Sequence, residues 1–179
     1  MQIDRIHHVA YRCRDAKETV EWYVKHLKMD FVLAIAEDRV PSTKEPDPYM
    51  HVFLDAGMGN VLAFFELPTK PAMGRDENTP PWVQHIAFKV ADMETLLAFK
   101  AALEAEGIEV LGPIDHSLFQ SIYFFDPSGH RLELSCPDEK EPEKLARLDA
   151  VKWDMLEEWA ETKRAPQHAA WLHEKEFTP

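Results

Sequence analysis

The chain is predicted to fold as an α+β domain of paired β-α-β-β-β modules, whose curved mixed sheets enclose a metal cavity, with a helical C-terminal tail. Three observations predict this. A histidine-bearing strand pattern occurs twice, as IHHVAYRCRD with His8 and as VQHIAFKVAD with His85. Each copy is followed by a glutamate-bearing strand pattern, FFELP with Glu66 and RLELSCP with Glu133. Between them, each copy carries one helical pattern and further strand patterns in the same order. In the overlay His8-Val9-Ala10-Tyr11-Arg12 matches His85-Ile86-Ala87-Phe88-Lys89, Asp15 matches Asp92, and Glu66-Leu67 matches Glu133-Leu134.

The elements follow in order. Residues 3–13 are rich in β-branched and apolar side chains and read as a strand. Asp15 is placed to cap a helix, with Glu18 completing a capping box. That helix, residues 16–27, presents Val20, Tyr23, Val24 and Leu27 at helical spacing. Residues 31–36 form the next strand, and the prolines of 41–48 mark a loop. Residues 49–55 and 60–67 read as a hairpin around Gly57-Met58-Gly59. Residues 68–81, with four prolines and a glycine, are the linker between modules 3–68 and 82–136. The order then repeats: a strand over 83–90, a helix capped by Asp92 and ended by Gly107, and a short strand over 108–111. A hairpin of 121–125 and 130–135 closes the module around Asp126-Pro127-Ser128-Gly129, a strong turn signal.

Residues 1–136 therefore form the main domain, and 137–179 a helical extension. In the extension Leu145, Leu148, Met155, Leu156 and Trp159 line one face of a helix over about 143–163. Pro166 breaks it, and a second short helix carries Ala169, Ala170, Trp171 and Leu172. These apolar faces need a surface to cover, either on the sheets or on a second subunit of a homodimer.

The 179 residues suffice for one domain with a sizeable core. With 20 basic and 32 acidic residues, the net charge of −12 excludes nucleic acid and an anionic membrane surface as natural partners. Cys13 and Cys136 are too few for a disulfide framework, and the N-terminus lacks the continuous apolar stretch of a signal peptide. No apolar run reaches the length of a bilayer span, so a cytoplasmic protein is expected.

The functional signal is the repeat itself. His8, Glu66, His85 and Glu133 are four metal-capable side chains in matched positions. Imidazole and carboxylate donors without thiolates suit Fe(II), Mn, Ni, Co or Zn. Their expected neighbours two residues away along the strands, Ile6, Ala10, Val83 and Ala87, would make a dry cavity. His7 is expected to face the other way. His26, His168 and His173 fall on predicted helices and read as solvent-facing, and the roles of His51 and His130 stay open.

With these residues in view, the chain resembles the vicinal oxygen chelate superfamily of glyoxalase, bleomycin-resistance and extradiol-dioxygenase proteins. The resemblance covers residues 3 to about 136 and implies that His8, Glu66, His85 and Glu133 are the metal ligands. The stretch from Ile114-Asp115-His116 through Tyr123 and Asp126-Pro127-Ser128-Gly129 to Glu133 is similar to the signature of extradiol ring-cleavage dioxygenases. It implies Fe(II) held by His8, His85 and Glu133, with His116 as acid/base group and Tyr123 bonded to a substrate oxygen. A catechol-like small molecule is the implied substrate.

Coordination keeps an alternative open. Three protein ligands leave an octahedral metal room for catechol and dioxygen; a fourth from Glu66 leaves room only for a bidentate hydroxyketone or enediolate, the requirement of a glyoxalase- or epimerase-like lyase or isomerase. The ring-cleaving enzymes also place a second histidine before the last strand of the first module. That region here reads Gly57-Met58-Gly59-Asn60, and only His51 could supply one. A metal-free small-ligand binder is the third reading.

Overall fold

Repeated strand–helix–strand units produce two separate four-stranded sheets in the computed structural model, which describes residues 2–172. The first unit comprises β1 (Val9–Cys13), α1 (Ala16–Leu27), β2 (Asp30–Arg39), β3 (Pro46–Asp55) and β4 (Val61–Glu66). The second comprises β5 (Ile86–Lys89), α2 (Met93–Ala105), β6 (Leu111–Asp115), β7 (Phe119–Phe125) and β8 (Arg131–Pro137). Strand orders are β1-β4-β3-β2 and β5-β8-β7-β6, with β1–β4 and β5–β8 parallel and the remaining pairs antiparallel. Both sheets are thus mixed, as the repeat predicts.

Local signals place the helices where expected. Asp15 accepts a hydrogen bond from the Glu18 backbone N–H at 2.8 Å, and Asp92 does the same for Thr95 at 2.8 Å. The first capping box is only half formed, because the Glu18 carboxylate turns to Arg14 at 2.7 Å. Tyr23 is fully buried, whereas Val24, expected on the same face, is 40% exposed.

Strand limits differ more. Residues 3–8 and 83–85 precede their strands, so His8 and His85 each stand just before the first paired residue. The short strand expected at 108–111 lies instead at Leu111–Asp115. Gly112-Pro113 reads as a loop in sequence, but β6 is an edge strand with a register shift there, and an edge tolerates the missing proline N–H. Gly112 has φ +106°, and a Cβ on it would sit 2.5 Å from the Ser121 carbonyl oxygen. Only glycine lets β6 lie this close to β7.

The helix-facing sides of both sheets share one core. Cys13, Tyr23, Val52, Leu54, Leu62 and Phe64 from the first unit join Leu96, Leu103, Ile122, Phe124, Leu132 and Leu134 from the second. Each such buried side chain contributes about 1.5–3 kcal/mol relative to exposure. The units are also joined by polar bonds: the Tyr23 hydroxyl donates to Asp126 at 3.0 Å, and His130 Nε2 meets the Arg12 carbonyl at 2.7 Å. Burial raises the pKa of Asp126. The opposite side of each sheet, its open face, is turned out of this core.

The tail forms α3 (Glu141–Thr162) and a 3-10 turn (Gln167–Leu172). Of the two surfaces expected to cover the tail, the sheets or a second subunit, the sheets do not cover α3. No residue of α3 is buried, and Trp153 and Trp159 are 70% and 48% exposed. The helix is held to the domain near its start, where Lys144 bonds the Ser117 carbonyl and Asp138. The 3-10 turn folds back on α3, with the Arg147 guanidinium 3.8 Å from the Trp171 ring centre. His168 pairs with Glu158 at 2.8 Å, and His173 lies outside the described residues. Among the described residues no helix is long and apolar enough to cross a membrane.

Candidate metal and acid–base site

The open face of the second sheet gathers the polar residues. Along β7 and β8, Ser121 pairs with Ser135 and Tyr123 with Glu133, while Ala87 of β5 pairs with Glu133 from the other side. Alternation along these strands sends Ile122, Phe124, Leu132 and Leu134 into the core and leaves Ser121, Tyr123, Glu133 and Ser135 on the opposite face.

Glu133 is 3% exposed and fully engaged. Oε1 accepts from Ser121 Oγ at 2.5 Å and from Ser135 Oγ at 2.7 Å. Oε2 lies 3.0 Å from His85 Nε2. His85 Nδ1 lies 3.0 Å from the Val83 carbonyl oxygen, which can only accept, so Nδ1 carries the proton. A neutral His85 therefore points its Nε2 lone pair at a carboxylate oxygen, and two lone pairs in this position need a cation between them. A proton satisfies them, and so does a metal: two donors at right angles, about 2.1 Å from one metal, stand about 3.0 Å apart. The serines on Oε1 and the carbonyl on Nδ1 are the outer partners that orient metal ligands. The donor set fits a divalent cation.

His116 and Tyr123 stand on the same face. The Tyr123 hydroxyl and His116 Nε2 are 2.7 Å apart, and the rings of Tyr123 and His85 are 6.3 Å apart. Burial, followed by the charge of Glu133, raises the pKa of Tyr123, so the phenol stays protonated at neutral pH. Arg131 covers the tyrosine ring, its guanidinium 4.0 Å from the ring centre. The close β6–β7 approach at Gly112 and the turn after Asp115, which accepts from the Ser117 N–H at 2.7 Å, deliver His116 to this position.

Two expectations need correction. Glu66 is not on an open face. Its Oε2 accepts from the Ala16 N–H at 2.7 Å, at the first turn of α1. The reason is strand phase. Ala10 pairs with Ala63 but Ala87 pairs with Glu133, so the counterpart of Glu133 is Ala63, and Glu66 lies three residues further on, opposite Cys13. The shared Glu-Leu dipeptide misaligns the strands. His8 is on an open face, but on that of the first sheet, its ring 6.0 Å from His51 and 5.5 Å from Phe53. The two units pack through their helix-facing sides, and among the described residues no three His, Cys, Asp or Glu side chains converge to hold a metal. Nor is the surround dry: Ile6 is 74% and Val83 42% exposed. His7, expected to point away, has its Nδ1 2.8 Å from His8 Nδ1.

The sequence reading left His51 open. It lies 8% exposed on β3, stacked on Phe65 with ring centres 3.6 Å apart, and burial lowers its pKa. Its alternation with Val52 and Leu54 was the available signal: it put an imidazole on the face away from the core.

The Glyoxalase/Bleomycin resistance protein/Dioxygenase superfamily model matches residues 5–134. The chain belongs to this superfamily. It is 30% identical over 84 residues to the "Putative ring-cleaving dioxygenase MhqA" of Bacillus subtilis (strain 168), a match covering 47% of this chain and 27% of that protein. The chain thus matches only about a quarter of that relative's length. Among solved structures, the glyoxalase family protein from Enterococcus faecalis is 28% identical, with TM-score 0.54, covering 75% of this chain and 99% of that one. A glyoxylase/bleomycin resistance protein/dioxygenase domain from Frankia sp. EAN1pec is 20% identical, with TM-score 0.60, covering 76% and 100%. A mutant of the fosfomycin resistance protein FosX from Listeria monocytogenes, complexed with Mn(II) and 1S,2S-dihydroxypropylphosphonic acid, is 18% identical, with TM-score 0.57, covering 81% and 99%. The last two share the fold.

Proposed function

We propose that this protein is a metal-dependent ring-cleaving dioxygenase of a catechol-like compound. The observation that carries the reading is the pairing, on one sheet face, of a metal-competent couple, His85 and Glu133, with an acid–base couple, His116 and Tyr123. The ring-cleaving dioxygenase name carried by the Bacillus subtilis relative supports it.

His85 Nε2 and Glu133 Oε2 would hold the metal, with Fe(II) favoured, and His8 would complete the set from the open face of a second copy. Exposed apolar side chains on the two open faces support such a pairing, among them Leu33 and Ile35 on the first sheet and Leu111 and Phe125 on the second. When bound, the metal supplies Lewis acidity to adjacent substrate oxygens and, as Fe(II), electrons for dioxygen chemistry. The protonated Tyr123 hydroxyl donates to a substrate oxygen. His116 Nε2 takes or returns a proton at the ring being opened. Ser121 and Ser135 keep Glu133 oriented.

The lyase or isomerase alternative drew its support from Glu66 as a fourth ligand. The hydrogen bond from Ala16 engages that carboxylate at the start of α1, and a metal held by three protein donors would leave room for both catechol and dioxygen. The test is anaerobic loading with Fe(II), addition of a panel of catechols, and admission of air. Oxygen uptake with a yellow ring-opened product is expected. Fe(II) bound without oxygen uptake on any catechol would overturn the reading.

A further inference from the structure

A cleft of about 850 Å³ is lined by β1 and β5, the end strands of their sheets, together with the hairpin between β3 and β4. Its walls carry the core phase of both sheets. Val9 and Tyr11 pair with Leu62 and Phe64, while Ile86 and Phe88 pair with Leu132 and Leu134, and all four partners are buried. Val9 and Tyr11 nevertheless stay 41% and 37% exposed, because the cleft opens beside them. Two polar side chains on its border are already engaged: Asn60 donates to the Gly57 carbonyl at 2.8 Å, and Lys89, 70% exposed, stands 3.9 Å from Glu141.

Water is a poor occupant of a space with such walls, and an apolar body that displaces it is favoured. The volume falls within the roughly 300–1,000 Å³ of small-molecule sites, which are mostly apolar with a few polar groups. His85 ties the cleft to the metal-competent couple. Along β5 the lining runs without a gap from His85 to Ala91, and His85 Nε2 lies 3.0 Å from Glu133. A group seated in the cleft therefore touches the imidazole that the proposed function places on the metal. At about 3.3 Å per residue this edge extends roughly 20 Å, more than a bare catechol ring occupies.

We infer that the cleft between β1 and β5 receives an uncharged apolar substituent of the substrate, so that the compound opened at the metal is a catechol bearing an alkyl or aryl side chain. The inference rests on the ring-cleaving reading for the diol end of that compound. The apolar end is argued from the cleft alone.

The probes are 4-alkylphenols from methyl to hexyl, titrated calorimetrically into the metal-free whole chain, and the matching 4-alkylcatechols, assayed for oxygen uptake with the Fe(II)-loaded protein. Affinity for the phenols should rise about fourfold per added CH₂ until the cleft is full. Ala56→Trp narrows the cleft from the hairpin, which supplies none of the proposed metal ligands, and should flatten the series while keeping wild-type metal content. Val9→Ser, a milder change that makes one wall polar, should weaken binding of the hexyl member several-fold. In the loaded protein KM should fall with chain length in wild type and not in Ala56→Trp. Affinity independent of chain length in wild type overturns the inference and leaves the proposed function standing. A rise that persists undiminished in both variants puts the alkyl chain elsewhere on the protein and overturns it as well. Chain-length binding without oxygen uptake on any alkylcatechol overturns the proposed function, and with it the occupant's identity as substrate, while the cleft stands as an apolar ligand site.

Discussion

Glu66 and Glu133 stand on the last strands of equivalent units but on opposite faces of their sheets, Glu66 opposite the core residue Cys13 and Glu133 opposite Ala87. One carboxylate serves a helix and the other serves the site. Glu66 accepts from Ala16 where α1 has unsatisfied N–H groups and the positive end of its dipole. Glu66→Ala should cost about 1 kcal/mol, the usual worth of such a cap, and leave metal content unchanged. Glu133→Ala should do the reverse for the metal and abolish binding. Denaturant melts with metal analysis of both variants decide the matter. Metal lost from Glu66→Ala would return that residue to the ligand set.

The His116–Tyr123 pair separates chemistry from metal binding. His116→Ala should retain metal and lose about 10²–10⁴-fold in turnover, the range of a positioned acid–base group. Tyr123→Phe keeps the ring beneath Arg131 but removes the hydroxyl, so its loss should fall on turnover more than on stability. Steady-state kinetics on a cleaved catechol, with iron content measured in parallel, checks both. Full activity in His116→Ala would remove the acid–base assignment.

How far the sequence is legible depends on whether short-range patterns set the outcome. The Asp15 and Asp92 caps, the Asp126 turn and the alternation of β7 and β8 are local, and the structure follows them. The phase of β4 against β1 is not local: it is set by pairing across the sheet, which a dipeptide match cannot report. The separation of His8 from His85 depends on how two units pack, and repeat symmetry carries no information about that. The apolar stripe of α3 reads as a buried face, yet among the described residues the 3-10 turn is the main element that meets this helix, and Leu145, Trp153, Leu156 and Trp159 are exposed.

Alkaline stability tests the core. Burial raises the Cys13 thiol pKa from an ordinary 9.0 to about 11. A folded-state pKa raised above the unfolded value leaves stability intact below about pH 9, and it is lost as pH climbs toward 11, because the unfolded chain releases the proton first. Roughly 2–3 kcal/mol is at stake across that window. Cys13→Ala removes this term along with some packing, so wild type should be clearly more stable at pH 8 and the gap should narrow by pH 10.5. Urea midpoints at the two pH values report it. A gap independent of pH would show that the thiol ionises alike in both states.

Assembly of the site from two copies makes a distinctive prediction. If His8 of one copy faces His85 and Glu133 of another, a His8→Ala homodimer and a Glu133→Ala homodimer each lack one ligand at every site. A mixed dimer has one site that lacks both ligands and one site with all of them. Neither variant alone should bind metal tightly or turn over substrate. Unfolding and refolding the two together at equal concentration should regenerate about a quarter of wild-type activity: half of the dimers are mixed, and each has one intact site of two. A site built within one chain gives no recovery in any mixture. Recovery after co-refolding, absent when the two variants are refolded apart and then combined briefly, would establish the shared site; its absence, with dimers confirmed by mass, would overturn assembly from two copies, and metal retained by His8→Ala alone would place His8 outside the metal set.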